Sequence, residues 1–300
     1  MKKVLKWIGI IIGSLLGLIV LVFLGLVFKG NSMLKKTYDV QVETIPIPTD
    51  EAAIARGEHW VMAECIGCHG EDLSGGAFFE APFATVNSKN LTTGKGGAGT
   101  EFEDIDWIRA LRYGVNPEGS SLLIMPSHAF RFFSDADLGD IIAYLKVAPP
   151  VDKETSEPSF NLLGKALLGA GAFGDSVVIA ETINNNAIDP TYPPAGVTPE
   201  YGQYLINVSA CRDCHGVDLS GGKSADPSAK YAPNLTSGGE LIAWKEEDFI
   251  KAIRTGLTPT DRQLDPLQMP WEHYKYFSDD ELKAIWAYLE SLPRLESTVP

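Results

Sequence analysis

The sequence predicts an all-α protein, with one N-terminal transmembrane helix followed by two copies of a small helical domain. Three observations carry this. A charge-free apolar run extends from Trp7 to Phe28. The remainder repeats itself at an offset of about 144 residues, from a cysteine motif through to a C-terminal amphipathic segment. No stretch shows convincing strand alternation with hairpin turns, whereas several show helical apolar periodicity.

The apolar run has the length of a bilayer-spanning helix, which needs about 20 residues, and exceeds the roughly 7–15 of a signal-peptide core. Lys29-Gly30-Asn31-Ser32 is a poor cleavage site. An uncleaved anchor is therefore expected, with a cleaved signal as the alternative. Lys2, Lys3 and Lys6 favour a cytoplasmic N-terminus, while Lys29, Lys35 and Lys36 pull the other way. Residues 1–36 contain no acidic residue, so the rest of the chain sets 19 basic against 39 acidic residues. So acidic a body is unsuited to nucleic acid and suits either a partner with a basic docking patch or simple solubility.

All four cysteines fall in two copies of one motif, Cys65-Ile66-Gly67-Cys68-His69 and Cys211-Arg212-Asp213-Cys214-His215. C-x-x-C-H is the attachment signature of c-type haem: two thiols form thioethers to one porphyrin, and the next residue brings an imidazole beneath the iron. A zinc ribbon would place its second pair about 15–20 residues on, but these pairs lie 146 apart. A thioredoxin-like dithiol would need a βαβ pattern, which is not seen.

The repeat supplies the sixth iron ligand. Leu73-Ser74-Gly75-Gly76 matches Leu219-Ser220-Gly221-Gly222, Asn90-Leu91-Thr92 matches Asn234-Leu235-Thr236, and Asp106–Gly114 matches Asp248–Gly256. Met125-Pro126 then matches Met269-Pro270. Of five methionines only Met125 and Met269 are equivalent, 56 and 54 residues after their haem histidines. A thioether opposite the proximal imidazole is the ligation of electron-transfer cytochromes, and the proline stiffens the ligand loop. His59, His128 and His273 remain as alternative axial ligands or as rim and surface groups.

Helices are expected over 50–64, ahead of the first haem motif, and over 135–147, where Leu138, Ile141, Ile142 and Leu145 keep i, i+3, i+4, i+7 spacing. Leu282, Ile285, Trp286 and Leu289 do the same in the second copy. Ser278 with Glu281 forms a capping box, and Ser134 with Asp137 a weaker one. Pro149 and Pro293 end these helices. Six regions result: an anchor with basic flanks (1–36), a polar spacer (37–50), domain 1 (51–149), a linker (150–197), domain 2 (198–293) and a tail (294–300). The linker is bounded by Pro149, Pro150, Pro190, Pro193 and Pro194. Its segment Phe160–Phe173 is expected to form a short helix packed across the domain junction.

With these motifs the sequence resembles tandem class I cytochrome c domains. It is similar to the cytochrome c subunits of bacterial membrane-bound alcohol, aldehyde and sugar-acid dehydrogenases, over nearly all of 52–149 and 198–293. Those subunits usually carry three haems and this chain has two motifs; it also bears an N-terminal tether. The resemblance implies two covalent haems on Cys65, Cys68, Cys211 and Cys214, proximal ligation by His69 and His215, and distal ligation by Met125 and Met269. It further implies that Asn90, Asn234, Arg112 and Arg254 lie near haem propionates. Attachment of c-type haem outside the cytoplasmic membrane implies a single-pass inner-membrane protein, N-terminus inside and haem domains periplasmic. The expected function is electron transfer between respiratory redox proteins, without catalytic residues. Alternatives are the cytochrome subunit of a periplasmic dehydrogenase complex and, against the matched methionines, a dihaem peroxidase.

Overall fold

The computed structural model describes residues 2–174, 177–183, 193–223 and 229–299; Pro190, expected to help bound the linker, lies outside them. The charge-free run lies within one 33-residue helix, α1 (Lys2–Leu34), about 50 Å long at 1.5 Å per residue. Its large apolar side chains from Val4 to Leu24, apart from half-buried Phe23, are exposed, as is Phe28. A segment then runs extended to Asp50, and its Val42, Ile45 and Ile47 lie on the apolar core.

The first repeat comprises α2 (Glu51–Glu64), α3 (Ile66–His69), the strands β1 (Gly76–Ala81) and β2 (Ala84–Ser88), α4 (Ala98–Glu101), α5 (Asp104–Tyr113), α6 (Ser127–Phe130) and α7 (Asp135–Leu145). Then come β3 (Ser159–Phe160) and α8 (Leu162–Gly169). The second repeat comprises α9 (Pro199–Val208), α10 (Cys211–His215), β4 (Gly222–Lys223), β5 (Tyr231–Ala232), α11 (Glu246–Thr255), α12 (Trp271–Tyr274) and α13 (Asp279–Ser291).

The caps act as their residue types require. Asp50, Ser134, Thr198 and Ser278 each accept a backbone N–H from the first turn of the helix they precede, and Ser278 and Glu281 close a full capping box. Gly114 and Gly256 end α5 and α11 in the left-handed conformation.

The helical expectation needs correction in one respect, because the chain also carries small sheets. β1, β2 and β3 form an antiparallel sheet with a bulge between Ala77 and Phe79, and β4 pairs β5. The tight Pro82-Phe83 turn and β-branched Thr85 and Val86 suit a hairpin. The bulge breaks its alternation, and β3 joins from more than seventy residues away, so no local period betrays it.

In each repeat the helix before the haem motif crosses the last helix at closest approach through a glycine. A Cβ on Gly57 of α2 would fall on the Asp140 carbonyl of α7, and one on Gly202 of α9 on the Ala284 carbonyl of α13. The helices therefore pack backbone to backbone.

The repeats share one apolar core. Trp60, 3% exposed, sets its ring edge-on against Phe133 (5.1 Å), and against Tyr204 and Phe277 of the second repeat (6.3 Å each). Pseudo-two-fold related bonds reinforce the junction: His59 Nε2 meets Glu281 Oε1 at 2.9 Å, and the Tyr204 hydroxyl donates to Asp137. Glu64 and Ser209 are equivalent positions and bond to each other at 2.7 Å, where the pseudo-axis passes.

The linker helix does not pack across this junction. α8 lies against the C-terminal end of α1 and under the β1–β2 turn. Its small residues Gly164 and Gly169 meet carbonyls of Phe83 and Leu26, which a larger junction helix could not do.

Candidate haem sites

Both C-x-x-C-H motifs form one short helix, and both end on a glycine at positive φ, Gly70 (80°) and Gly216 (85°). The chain then reverses so that the Gly75 N–H donates to His69 O (2.8 Å) and the Gly221 N–H to His215 O (2.9 Å). Leu73 and Leu219 adopt the left-handed conformation, rare for a leucine. Each is held by Asp72 or Asp218 bonding the following serine amide and by a backbone bond from Leu91 or Leu235.

This loop fixes the histidines. His69 Nδ1 lies 2.7 Å from Lys89 O, and His215 Nδ1 lies 2.8 Å from Pro233 O. A carbonyl only accepts, so Nδ1 carries the proton and Nε2 keeps its lone pair for a metal, the usual second-sphere arrangement of a ligating imidazole. Burial holds both rings below the usual histidine range, outweighing the carbonyl bond, and so favours the neutral ligand form.

No disulfide joins any of the four cysteines. Burial pushes Cys68 up to about 11 and Cys211 up to about 12, and raises Cys65 and Cys214 as well. Such thiols differ from the acidic cysteines of dithiol redox sites. Among the described residues no cluster of three or more His, Cys, Asp or Glu is arranged as a metal cage. Paired protonated thiols beside a locked imidazole fit a covalently attached haem.

The Met-Pro turns superpose in conformation as well as in sequence. Pro126 (φ −79°, ψ 49°) and Pro270 (φ −77°, ψ 53°) each form the centre of an inverse γ-turn. It is closed by Ser127 N–H to Met125 O (2.8 Å) and Trp271 N–H to Met269 O (2.7 Å). Both methionines lie half-buried against the core.

The groups expected near propionates divide. Both amide hydrogens of Asn90 go to Val151 O (2.7 Å) and Lys153 O (3.1 Å), and its oxygen accepts from the Thr92 amide and hydroxyl. Asn234 is engaged likewise with Leu295 O, Ser297 and Thr236. These asparagines thus pin the chain after the last helix of each repeat onto its own loop. The repeat accordingly runs on past Pro149 and Pro293. Arg112 is buried, donates to Phe133 O and Asp135, and keeps a buried Nε without a partner among the described residues, which fits a further acceptor. Arg254 is more exposed and donates to Lys275 O and Asp279.

Two histidines reach across to the other repeat's motif. His128 Nε2 meets Asp213 Oδ2 at 2.7 Å, and the His273 ring stands 3.0 Å from where a Cβ of Gly67 would be. The buried Nδ1 atoms of both have no hydrogen-bond partner among the described residues. Glu64 lies between the motifs; removal from water pushes it up to about 8 against the Ser209 hydroxyl bond. Spacing marked neither the crossed histidines nor Gly57 and Gly202. A glycine at matched positions inside both helices was the available signal.

Residues 54–148 match the cytochrome c family, and residues 198–289 match the family described as cytochrome C oxidase, cbb3-type, subunit III. The chain is 27% identical to the fructose dehydrogenase cytochrome subunit of Gluconobacter japonicus, over 84% of this chain and 55% of that one. It is 26% identical to the cytochrome c subunit of the quinone alcohol dehydrogenase of Gluconobacter oxydans (strain 621H), over 81% and 55% of the two chains. Identity is also 26% to the gluconate 2-dehydrogenase cytochrome c subunit of Pantoea cypripedii, over 81% and 60%. The chain thus spans little more than half the length of these relatives. Together with the paired haem motifs, these likenesses give the chain two cytochrome c domains, which imply two covalently bound c-type haems.

Proposed function

We propose that this chain is a membrane-anchored dihaem cytochrome that passes electrons between respiratory redox proteins on the periplasmic face, with α1 as its single span. Residues 51–149 and 198–293, each completed by the returning chain that follows, act as the two domains. When bound, each haem supplies one-electron exchange at iron. The chain's own residues do the rest. Cys65 and Cys68, and Cys211 and Cys214, hold the groups covalently. His69 and His215 present Nε2, each with Nδ1 locked on a carbonyl, and Met125 and Met269 present thioethers from matched turns. Arg112, through its spare Nε, and Arg254 serve the propionates.

The observation that carries this reading is the duplicated Met-Pro turn. With a thioether and an imidazole offered to each iron, a bound haem would keep no coordination position for substrate, which favours transfer over catalysis. Met125→Ala and Met269→Ala should each lower one haem's potential and remove half of the methionine–iron charge-transfer absorption. An unchanged spectrum would show the distal ligands to be wrongly assigned.

A second reading follows from the names of the relatives: the chain serves as cytochrome subunit of a periplasmic dehydrogenase. Purification from detergent-solubilised membranes separates the two readings, since a dehydrogenase partner would bring its own cofactor.

A further inference from the structure

α8 runs antiparallel to the end of α1, and the close contacts fix their relative level. A Cβ on Gly30 would fall on the Lys165 carbonyl, and one on Gly169 on the Leu26 carbonyl. The start of α8 therefore stands beside the last turn of α1. Its C-terminal end reaches Leu26, inside the charge-free run Trp7–Phe28, and the turn that follows is closed by Gly171 N–H to Leu168 O and Ala172 N–H to Leu167 O. That turn, Ala170-Gly171-Ala172-Phe173-Gly174, is uncharged and exposed except for half-buried Phe173. Between Leu162 and Gly174 the only charge is Lys165, level with Gly30 and so beside Lys29.

The apolar surface continues onto the hairpin. Phe173 stacks on Phe83 (5.8 Å), which contacts Phe79, itself 38% exposed; Leu163 is 51% exposed. Grouped apolar surface of this kind marks a contact site, and here it is continuous with a helix of bilayer-spanning length.

We infer that the tip of α8 with its following turn, flanked by Phe79, is a second membrane contact that enters the interface of the bilayer spanned by α1. The occupant is phospholipid. The uncharged tip lies at acyl-chain depth, and Lys29, Lys35 and Lys165 lie at the level of anionic headgroups. The first domain then rests on the membrane at a fixed orientation instead of swinging on a tether. This inference rests on the reading of α1 as an anchor.

The test uses the full-length haem-loaded protein in nanodiscs of phosphatidylethanolamine and phosphatidylglycerol doped with a diazirine-tailed phosphatidylcholine. After illumination, lipid adducts are mapped by peptide mass spectrometry. Adducts are expected in Trp7–Phe28 and in Leu162–Gly174, at least tenfold above those around Leu267, an apolar residue 90% exposed in the second repeat. Adducts in Trp7–Phe28 with only Leu267-level labelling of Leu162–Gly174 would overturn the inference and leave the anchor standing. Unlabelled Trp7–Phe28 would overturn the anchor and this inference with it. Ala172→Glu should cut labelling of the α8 peptide about tenfold while that of Trp7–Phe28 and the haem absorption hold; undiminished α8 labelling would also overturn the inference.

Discussion

The two repeats hold their haem motifs with the same devices and differ in nearly everything built around them. Both lock a histidine Nδ1 on a carbonyl, close a Met-Pro γ-turn, cross two helices through a glycine and pin the returning chain with an asparagine. Around this frame the first repeat adds a three-stranded sheet, α8 and the contact with α1. The second offers a two-stranded ladder and its own returning tail. What is common thus surrounds the C-x-x-C-H motifs, and what differs joins the first repeat to α1.

The largest expected effect tests the common part. Cys214→Ala should leave a one-haem protein or prevent accumulation, and Cys68→Ala should do the same for the other haem; mass spectrometry of the intact chain counts the groups. Recovery of two covalent haems from either variant would break the equivalence.

The glycine crossings come next. Gly57→Ala or Gly202→Ala forces a methyl onto a backbone carbonyl that has little room to yield, and overpacking of this kind costs about 3 kcal/mol. Because Trp60 ties both repeats into one core, each variant should lower the denaturation midpoint of the whole haem-bearing unit. Two separated transitions in calorimetry would show that the shared core does not couple the halves.

An ion pair found in one repeat only gives a smaller and more diagnostic effect. Arg56 bonds the buried Asp140 at 2.6 Å, where the second repeat has Tyr201 and Ala284. Arg56→Ala strands a buried carboxylate and should cost about 2 kcal/mol. The double change Arg56→Tyr, Asp140→Ala, which copies the second repeat, should be neutral or stabilising. Loss of stability in that double variant by chemical denaturation would show that the ion pair matters for more than charge balance.

The smallest effect separates the two interdomain bonds by pH. The hydrogen bond that His59 donates to Glu281 raises His59 above its usual 6.5 despite burial. This contribution is complete below 6.5 and is lost as pH rises through the folded value. Burial pushes Glu281 up, but His59 and the Ser278 amide and hydroxyl outweigh it and leave it below its usual 4.5. That contribution is complete above 4.5 and is lost as pH falls through the folded value. The pair is therefore strongest between about 4.5 and 6.5, and His59→Gln should remove about 1 kcal/mol there and less at pH 9. Its counterpart Tyr204 is driven far above its usual value by burial and by Asp137, so Tyr204→Phe should show no such neutral-pH dependence in the same unfolding series.

Much of the proposed site is legible because its chemistry is local. The cysteine pairs, the histidine after each and the Met-Pro dipeptides are short strings that duplication makes unambiguous. The helices of 51–64, 135–145 and 279–291 declared themselves through caps and apolar spacing. The hairpin of 76–88 did not, since its bulge breaks the alternation and its third strand comes from residues 159–160. Nor are the bonds of the Asn90 and Asn234 amides legible, because the carbonyls they reach lie about sixty residues away.

The sequence by itself determined which residues can carry two haems and that two similar units carry them, since covalent attachment and helix capping act over a few residues. Only the tertiary structure decided how those units meet: through one core around Trp60, with His128 and His273 each reaching the other repeat's motif, and with α8 against α1 instead of the domain junction. These contacts join residues far apart in the chain through shape and burial, which leave no local period to read.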